Sequence, residues 1–322
     1  MPLFAFLVNV MQIEDELAGF SPQKEMLLTI GVFDGVHLGH KYLISQLKKQ
    51  AAARGLLTGV VTFRRHPVEL LSPDTHLPYL TSLDEKVHLL RQEGVDAVVP
   101  LSFTGELAGL RAAEFTGLLQ KHLKMAGLVV GPDFALGKGR EGDVEALKKL
   151  GQQKGFDVTV IEKAASGKQV ISSTAVRAAL ADGDATKVID LLGRPFSLEG
   201  KVISGDRRGR ELGFPTANLE IDREQTLPAD GIYATMSYVG GQGYKSVTNI
   251  GVRPTFDDKR RTVETYILDF SGDIYGRDLK IDIIARLRGE KKFDSIEDLK
   301  TQMTEDVRQS RTVLDGRGEE VI

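Results

Sequence analysis

The sequence predicts two domains of different class. An α/β domain with a doubly wound parallel sheet is expected over residues 1–186, and a small antiparallel β-barrel with a terminal helix over 187–322. Three observations predict this. From Met26 to about Asp184, apolar runs of strand length alternate with segments of helical periodicity, the pattern of βαβ units with right-handed crossovers. Around Asp182–Pro195 the alternation stops, and Gly193-Arg194-Pro195 breaks a short helix, Lys187–Leu192. From Leu198 the chain reads as alternating strands with one amphipathic helix, Ser295–Thr312, at the end.

Taken in order, the apolar run Met26, Leu27, Leu28, Ile30, Val32 is the first strand, and it breaks at Phe33, Asp34 and Gly35. His40–Arg54 follows with Leu43, Ile44 and Leu47 on one stripe and Gly55 placed to end it. Leu56–Phe63 is the second strand. Ser82 and Glu85 form a capping box ahead of Val87, Leu89 and Leu90, with Gly94 at the far end. Val95–Leu101, Gly127–Gly131 and Phe156–Ile161 supply three more strands, interleaved with helices Ala112–Leu123 and Val144–Lys154. In the second domain Gly200–Ser204 is a strand. Ile232–Val239 and Tyr244–Ile250 form a hairpin across Gly240-Gly241-Gln242-Gly243, and Val263–Phe270 and Leu279–Leu287 alternate strongly. The tail, Asp315–Ile322, is polar.

Composition narrows the function classes. A chain of 322 residues exceeds one ordinary core, and 41% hydrophobic with 27% charged residues is globular content. A net charge of −3 argues against a generic nucleic-acid surface. The absence of cysteine excludes disulfides, thiolate metal sites and cysteine nucleophiles. The apolar start, MPLFAFLVNVM, lacks a basic region and is too short to span a bilayer; it reads as an opening strand, so no membrane partner and a cytoplasmic location are expected. Composition leaves an oligomer open.

The richest stretch is Thr29–Lys41, TIGVFDGVHLGHK. A strand feeding a glycine turn that opens a helix exposes backbone N–H groups and the positive dipole end, an anion-binding arrangement. His37 and His40, at i and i+3, share a face there. No Ser, Cys or Lys in the turn suits a nucleophile, so the residues point to stabilisation of phosphate charge. Surface histidines or two metal ligands are the alternatives.

Three other segments follow strands. In Phe63-Arg64-Arg65-His66-Pro67, His66 is a ligand contact or a loop stabiliser. Gly131–Gly137, with Asp133 inside it and Lys138 and Arg140 after it, suits a loop over phosphates or a solvated turn. In Ile171-Ser172-Ser173-Thr174-Ala175-Val176-Arg177, hydroxyls sit at a helix start with Arg177 one turn on, within reach of a phosphate. In the second domain, Gly205–Asn218 (GDRRGRELGFPTAN) is a glycine-rich loop. Its end offers Thr216 and Asn218 oxygens to a hard cation such as Mg²⁺. Glu264, among apolar Val263, Ile267 and Leu268, is a solvent-facing strand carboxylate or a general base for a primary alcohol.

GVFDGVHLGH resembles the HxGH signature of the nucleotidyltransferase superfamily, in the form found in prokaryotic bifunctional riboflavin kinase/FAD synthetases. ISSTAVR resembles the ISSTxxR motif that pairs with it, and GPDFALG the family's G-x-[ND]-F-x-F-G loop, with Leu136 replacing the second aromatic. Arg65 stands where the family usually has proline. The glycine loop, GFPTAN, Asn249-Ile250-Gly251, Pro254-Thr255-Phe256 and Val263-Glu264-Thr265 follow in the order of the riboflavin kinase domain, so the resemblance runs from about Thr29 to Arg311. It implies phosphorylation of riboflavin to FMN by the second domain and adenylylation of FMN to FAD, with release of pyrophosphate, by the first.

The resemblance also implies roles. Glu264 takes the hydroxyl proton. Thr216 and Asn218 hold Mg²⁺ and ATP phosphates under the Gly205–Gly209 loop. His37 and His40 stabilise the α- and β-phosphates. Ser173, Thr174 and Arg177 hold the pyrophosphate end, Gly31, Phe33, Asp34 and Gly35 shape the adenylate site, and Asp133 joins the nucleotide-binding set. A chain with one working site, and a flavin-binding regulator without turnover, are the competing expectations.

Overall fold

The structure, a computed structural model, describes residues 13–72, 74–162, 165–166, 169–205, 209, 212–252 and 261–316. The expected opening strand, residues 206–208 of the glycine loop, Pro254–Phe256 and most of the polar tail lie outside them. The chain divides into two compact units, Met1–Ser173 and Thr174–Ile322. Among the described residues no helix is long and apolar enough to cross a membrane.

The first unit is built on five parallel strands: β1 (Met26–Ile30), β2 (Leu57–Phe63), β3 (Ala97–Leu101), β4 (Met125–Val130) and β5 (Asp157–Val160), in the order β3-β2-β1-β4-β5. The expected doubly wound sheet is present. Its principal helices are α1 (Leu38–Arg54), α2 (Pro67–Leu71), α3 (Leu83–Gln92), α4 (Gly105–Gly109), α5 (Ala112–Leu123) and α6 (Val144–Lys154). Every residue of β1 is buried. Met26, Leu28 and Ile30 enter one apolar cluster and Leu27 the other, because alternate side chains leave opposite faces of a strand. Sheet order reverses direction at β1, whose neighbours are β2 and β4. The carboxyl end of such a strand is where doubly wound sheets bind ligands.

Local chemistry sets the helix limits. α1 starts at Leu38, earlier than its periodicity suggests, because His37 is its N-cap; Gly55 ends it at φ 66° with its N–H on Ala51 O and Ala52 O. Ser82 caps α3 by accepting from Glu85 N. The fully buried residues of that helix are Lys86, Leu89 and Leu90, and Val87 packs partly buried against the same apolar cluster. Two short strand pairs, Ala135–Leu136 with Gly142–Asp143 and Ala165–Ser166 with Gln169–Val170, were not expected.

The second unit takes up the helix α7 (Ser173–Asp182), whose first residue belongs to the first unit, and α8 (Ala185–Leu192). Both lie against the barrel; α7 also accepts hydrogen bonds from it, Ala229 N donating to Leu180 O at 2.8 Å and the Arg286 guanidinium to Asp182 O at 3.4 Å. The barrel comprises β6 (Phe196–Ile203), β7 (Ala217–Glu220), β8 (Gly231–Val239), β9 (Gln242–Val252), β10 (Arg261–Ile267) and β11 (Asp278–Arg288), closed in the order β6-β7-β10-β9-β8-β11. The hairpin turn is shorter than expected. Gly240 and Gly241 alone make it, at φ 58° and 86°, the primed geometry that matches strand twist.

Buried hydroxyls line part of the barrel interior. Thr235 contacts Ser246 at 2.7 Å and Thr248 at 2.8 Å, and Thr248 contacts Thr265 at 2.8 Å, so each polar group is satisfied without water. The terminal helix α9 (Ile296–Asp315), capped by Ser295, donates from Ser310 Oγ to Ser246 O at 3.0 Å.

Candidate active sites

At the carboxyl end of β1 the turn is held in strained backbone. Phe33, Gly35 and Val36 have φ of 52°, 80° and 39°. Such left-handed conformations cost a non-glycine residue about 1–3 kcal/mol each and persist only where the surroundings enforce them. Here Phe33 and Val36 are locked into the apolar core. The buried Asp34 carboxylate accepts from Leu80 N at 2.9 Å and Thr81 N at 3.2 Å, and Gly35 N donates to Thr81 Oγ1 at 3.2 Å. Ser173 Oγ donates to Asp34 O at 2.9 Å, which brings the start of the Ser-Ser-Thr segment to the turn. Gly39 permits that approach, since a Cβ there would lie 3.1 Å from the His37 ring and 3.2 Å from Ile171 O. At Gly31 a Cβ would meet the Phe33 ring at 3.0 Å.

The two imidazoles stack, with centroids 3.6 Å apart and planes 15° from parallel. His37 Nδ1 accepts from His40 N at 3.3 Å, so neutral His37 carries its proton on Nε2. Burial above all, then the charges of His37 and Lys86, holds His40 well below the ordinary imidazole value. It is a neutral ring at neutral pH. Its Nδ1 is buried with no hydrogen-bond partner among the described residues.

The neighbouring loops divide. His66 Nδ1 accepts from Val68 N at 3.1 Å and Glu69 accepts from His66 N at 3.3 Å, so His66 caps α2 and stabilises its loop. Arg140 donates to Asp133 O at 2.9 Å, tying the 133–140 loop to itself, while the Asp133 side chain stays exposed. On α7, Thr174 is exposed and Arg177 is half-buried one turn beyond Ser173; both belong to the second unit.

In the barrel, register assembles the second site. Asn218 of β7 and Asn249 of β9 both stand opposite Glu264 of β10. Directly paired residues share a face, so the three form one row across the outside of the barrel, alternating with buried Ala217, Val263 and Thr265. Glu264 borders a cavity of about 330 Å³ with Thr216, Phe214, Tyr266 and Phe293. Thr216 also borders a larger cavity of about 680 Å³, with Pro215, Thr265 and Asp273. Gly205 lies against Asn218 of this row, and Gly209 lies against Thr216. A Cβ on Gly205 would fall 2.3 Å from Asn218 Nδ2, and one on Gly209 would fall 3.3 Å from Thr216 Oγ1.

Three features escaped the sequence reading. Asn249 lay in a quoted motif, but only register shows that it flanks Glu264. Arg288 forms a bidentate pair with the buried Asp306, at 2.8 and 2.7 Å, fastening α9 to the end of β11 beside the smaller cavity. Lys86 is the third; its signal was a lysine on the same helical stripe as Leu89 and Leu90.

Known proteins match this arrangement half by half. The FAD synthetase family model matches residues 20–175 and the riboflavin kinase model matches 192–314. A bifunctional riboflavin kinase/FMN adenylyltransferase from Escherichia coli K12 is 42% identical over 288 residues, covering 89% of this chain and 92% of the relative. The chain belongs to the bifunctional riboflavin kinase/FMN adenylyltransferase family. Relatives of the same name from Listeria monocytogenes and Bacillus subtilis are 37% and 35% identical, each over 88% of this chain and 91% of the relative. A solved structure from Streptococcus pneumoniae, described as a macrolide-efflux protein, superposes with TM-score 0.85 at 31% identity, covering 93% of this chain and 97% of that one.

Proposed function

We propose that this chain makes FAD from riboflavin in two ATP-consuming steps, phosphorylation in residues 187–322 and adenylylation in residues 1–186. One observation carries the reading: each half has its own polar set, stacked imidazoles at a strand-end turn in one and a carboxylate between two amides in the other. The gap between the two family segments, 176–191, includes 186/187, while the compact units divide after Ser173.

In the kinase half, the aromatic faces of Phe214, Tyr266 and Phe293 in the smaller cavity suit an isoalloxazine, and the larger cavity suits ATP. Thr216 borders both, so the ribityl hydroxyl and the γ-phosphate meet beside it. Glu264 takes the hydroxyl proton as the oxygen attacks the γ-phosphorus, and ADP leaves. A positioned base contributes about 10²–10⁴-fold. Thr216 and Asn218 would hold Mg²⁺. Two neutral hard oxygens beside the closely approaching Gly205 and Gly209 fit this ion, which completes its shell with water and phosphate oxygens. When bound, it neutralises phosphate charge.

In the other half an FMN phosphate oxygen attacks the α-phosphorus of ATP and pyrophosphate leaves. The nucleophile is already anionic, so the protein positions and neutralises rather than deprotonates. His37, with its proton on Nε2, and His40 donate to the phosphates. Ser173, Thr174 and Arg177 hold the departing pyrophosphate. Gly31, Phe33, Asp34 and Gly35 shape the adenylate site, and Asp133 contributes from its loop. ATP as substrate of both steps supports a cytoplasmic location. Efflux explains none of these polar residues and is not proposed.

Product analysis over time from riboflavin, ATP and Mg²⁺ tests the reading. FMN appears first, then FAD with pyrophosphate. Failure to make FAD from supplied FMN and ATP reduces the chain to a kinase. No turnover at all makes it a binding protein.

A further inference from the structure

Lys86 is a charged side chain in the wrong place for an amphipathic helix. It is 5% exposed, on the core-facing stripe of α3, and lysine is almost never that buried without a partner. Its hydrogen-bond partners are main-chain carbonyls: Phe63 O at 2.7 Å and Val32 O at 3.3 Å. Phe63 is the last residue of β2, where the 64–67 loop leaves the sheet; Val32 immediately precedes the strained Phe33. Thr62 Oγ1 also donates to Val32 O, at 2.9 Å, so this carbonyl is a shared anchor. A methionine or leucine would fill the same stripe without burying a charge. Core packing alone therefore does not account for a lysine here.

We propose that Lys86 is a positioning residue of the adenylyl-transfer site: its ammonium ties the ends of β1 and β2 together, fixing the turn that carries His37 and His40, and places a positive charge where it acts on His40. The inference rests on the adenylyl-transfer reading above. The titratable groups acting on His40 are His37 and Lys86, and Asp34 acts in turn on Lys86. Burial pulls the Lys86 ammonium below the ordinary lysine value, and the Asp34 carboxylate opposes that fall. Lys86 thus adds to the forces that keep the His40 ring neutral.

The test uses the full-length enzyme with Lys86→Met, Lys86→Gln and Lys86→Arg, FMN formation serving as an internal control. FAD formation from FMN and ATP is expected to fall at least tenfold in kcat in Lys86→Met, with FMN formation within twofold of wild type and the His40 imidazole titrating at higher pH by NMR. Lys86→Arg, which keeps charge and donors, restores both readouts in part. Should Lys86→Met not fold, Lys86→Gln decides, because it removes the charge while keeping an amide donor. An FAD rate within twofold of wild type in a folded neutral variant overturns the proposal, as does a lost rate with an unchanged His40 titration. A wild-type enzyme that makes FMN but no FAD overturns the underlying reading instead, whatever the variants do.

Discussion

The strand-end turn and the outer face of the barrel are built on opposite backbone devices. The turn depends on strain: Phe33 and Val36 sit in the left-handed region and are held by core packing, the buried Asp34 carboxylate and Lys86. The barrel face depends on regularity. Asn218, Glu264 and Asn249 reach one row because three antiparallel strands keep register. The first arrangement buries its imidazoles and excludes added volume. The second leaves its carboxylate half-exposed beside the smaller cavity. Changes at the turn should therefore act through geometry and protonation, and changes at the row through the group removed.

The largest expected effect sharpens that contrast directly. Glu264→Ala should lower FMN formation by about 10²–10⁴-fold, the worth of a positioned base, while FAD formation from supplied FMN stays near wild type. A parallel loss of FAD formation breaks the separation of the sites. Next comes the fastening of α9. Asp306→Ala leaves Arg288 without its bidentate partner and should cost about 3–5 kcal/mol of stability, seen as a lower urea midpoint of the second unit. A smaller effect is expected for Gly39→Ala. The new Cβ pushes on the His37 ring and Ile171 O, and FAD formation should fall by up to about tenfold with FMN formation unchanged.

The smallest effect is on pH. His40 is held below the ordinary imidazole value of 6.5, so near neutral pH both folded and unfolded chains leave it uncharged. As pH falls through that value the unfolded chain takes up a proton that the folded chain refuses. Stability then declines until the folded ring itself protonates. Urea unfolding of the first unit should weaken between neutral and mildly acid pH, and His40→Asn should flatten the decline. An unchanged slope in that variant would place the effect elsewhere.

Much of the fold was legible because its signals are local. α5 and α6 have the limits read from periodicity, and Ser82 and Ser295 both accept the N-cap hydrogen bond, Ser82 from Glu85 N. The imidazole spacing and the Ser-Ser-Thr segment were legible as motifs, and the contact from Ser173 to Asp34 joins them within the first unit. What the sequence hid depends on long-range packing. A lysine on an amphipathic helix reads as solvated, and the stripe that Lys86 shares with Leu89 and Leu90 does not show the carbonyls that hold it. Asn249 acquires its place only through pairing with β10. The two-residue strands at Ala135–Leu136 and Gly142–Asp143 are too short to show a period.

The central claim is that two sites work independently in one chain. Its most direct test follows riboflavin, FMN and FAD over time with His40→Ala, given riboflavin, ATP and Mg²⁺. Loss of one preorganised donor should remove about 2.7–4 kcal/mol of transition-state stabilisation from adenylylation only. The account predicts that FMN accumulates at the wild-type rate while FAD formation falls by two orders of magnitude or more, about the loss that this energy implies. FAD formed at the wild-type rate, or FMN formation lost together with FAD in a folded variant, would contradict it.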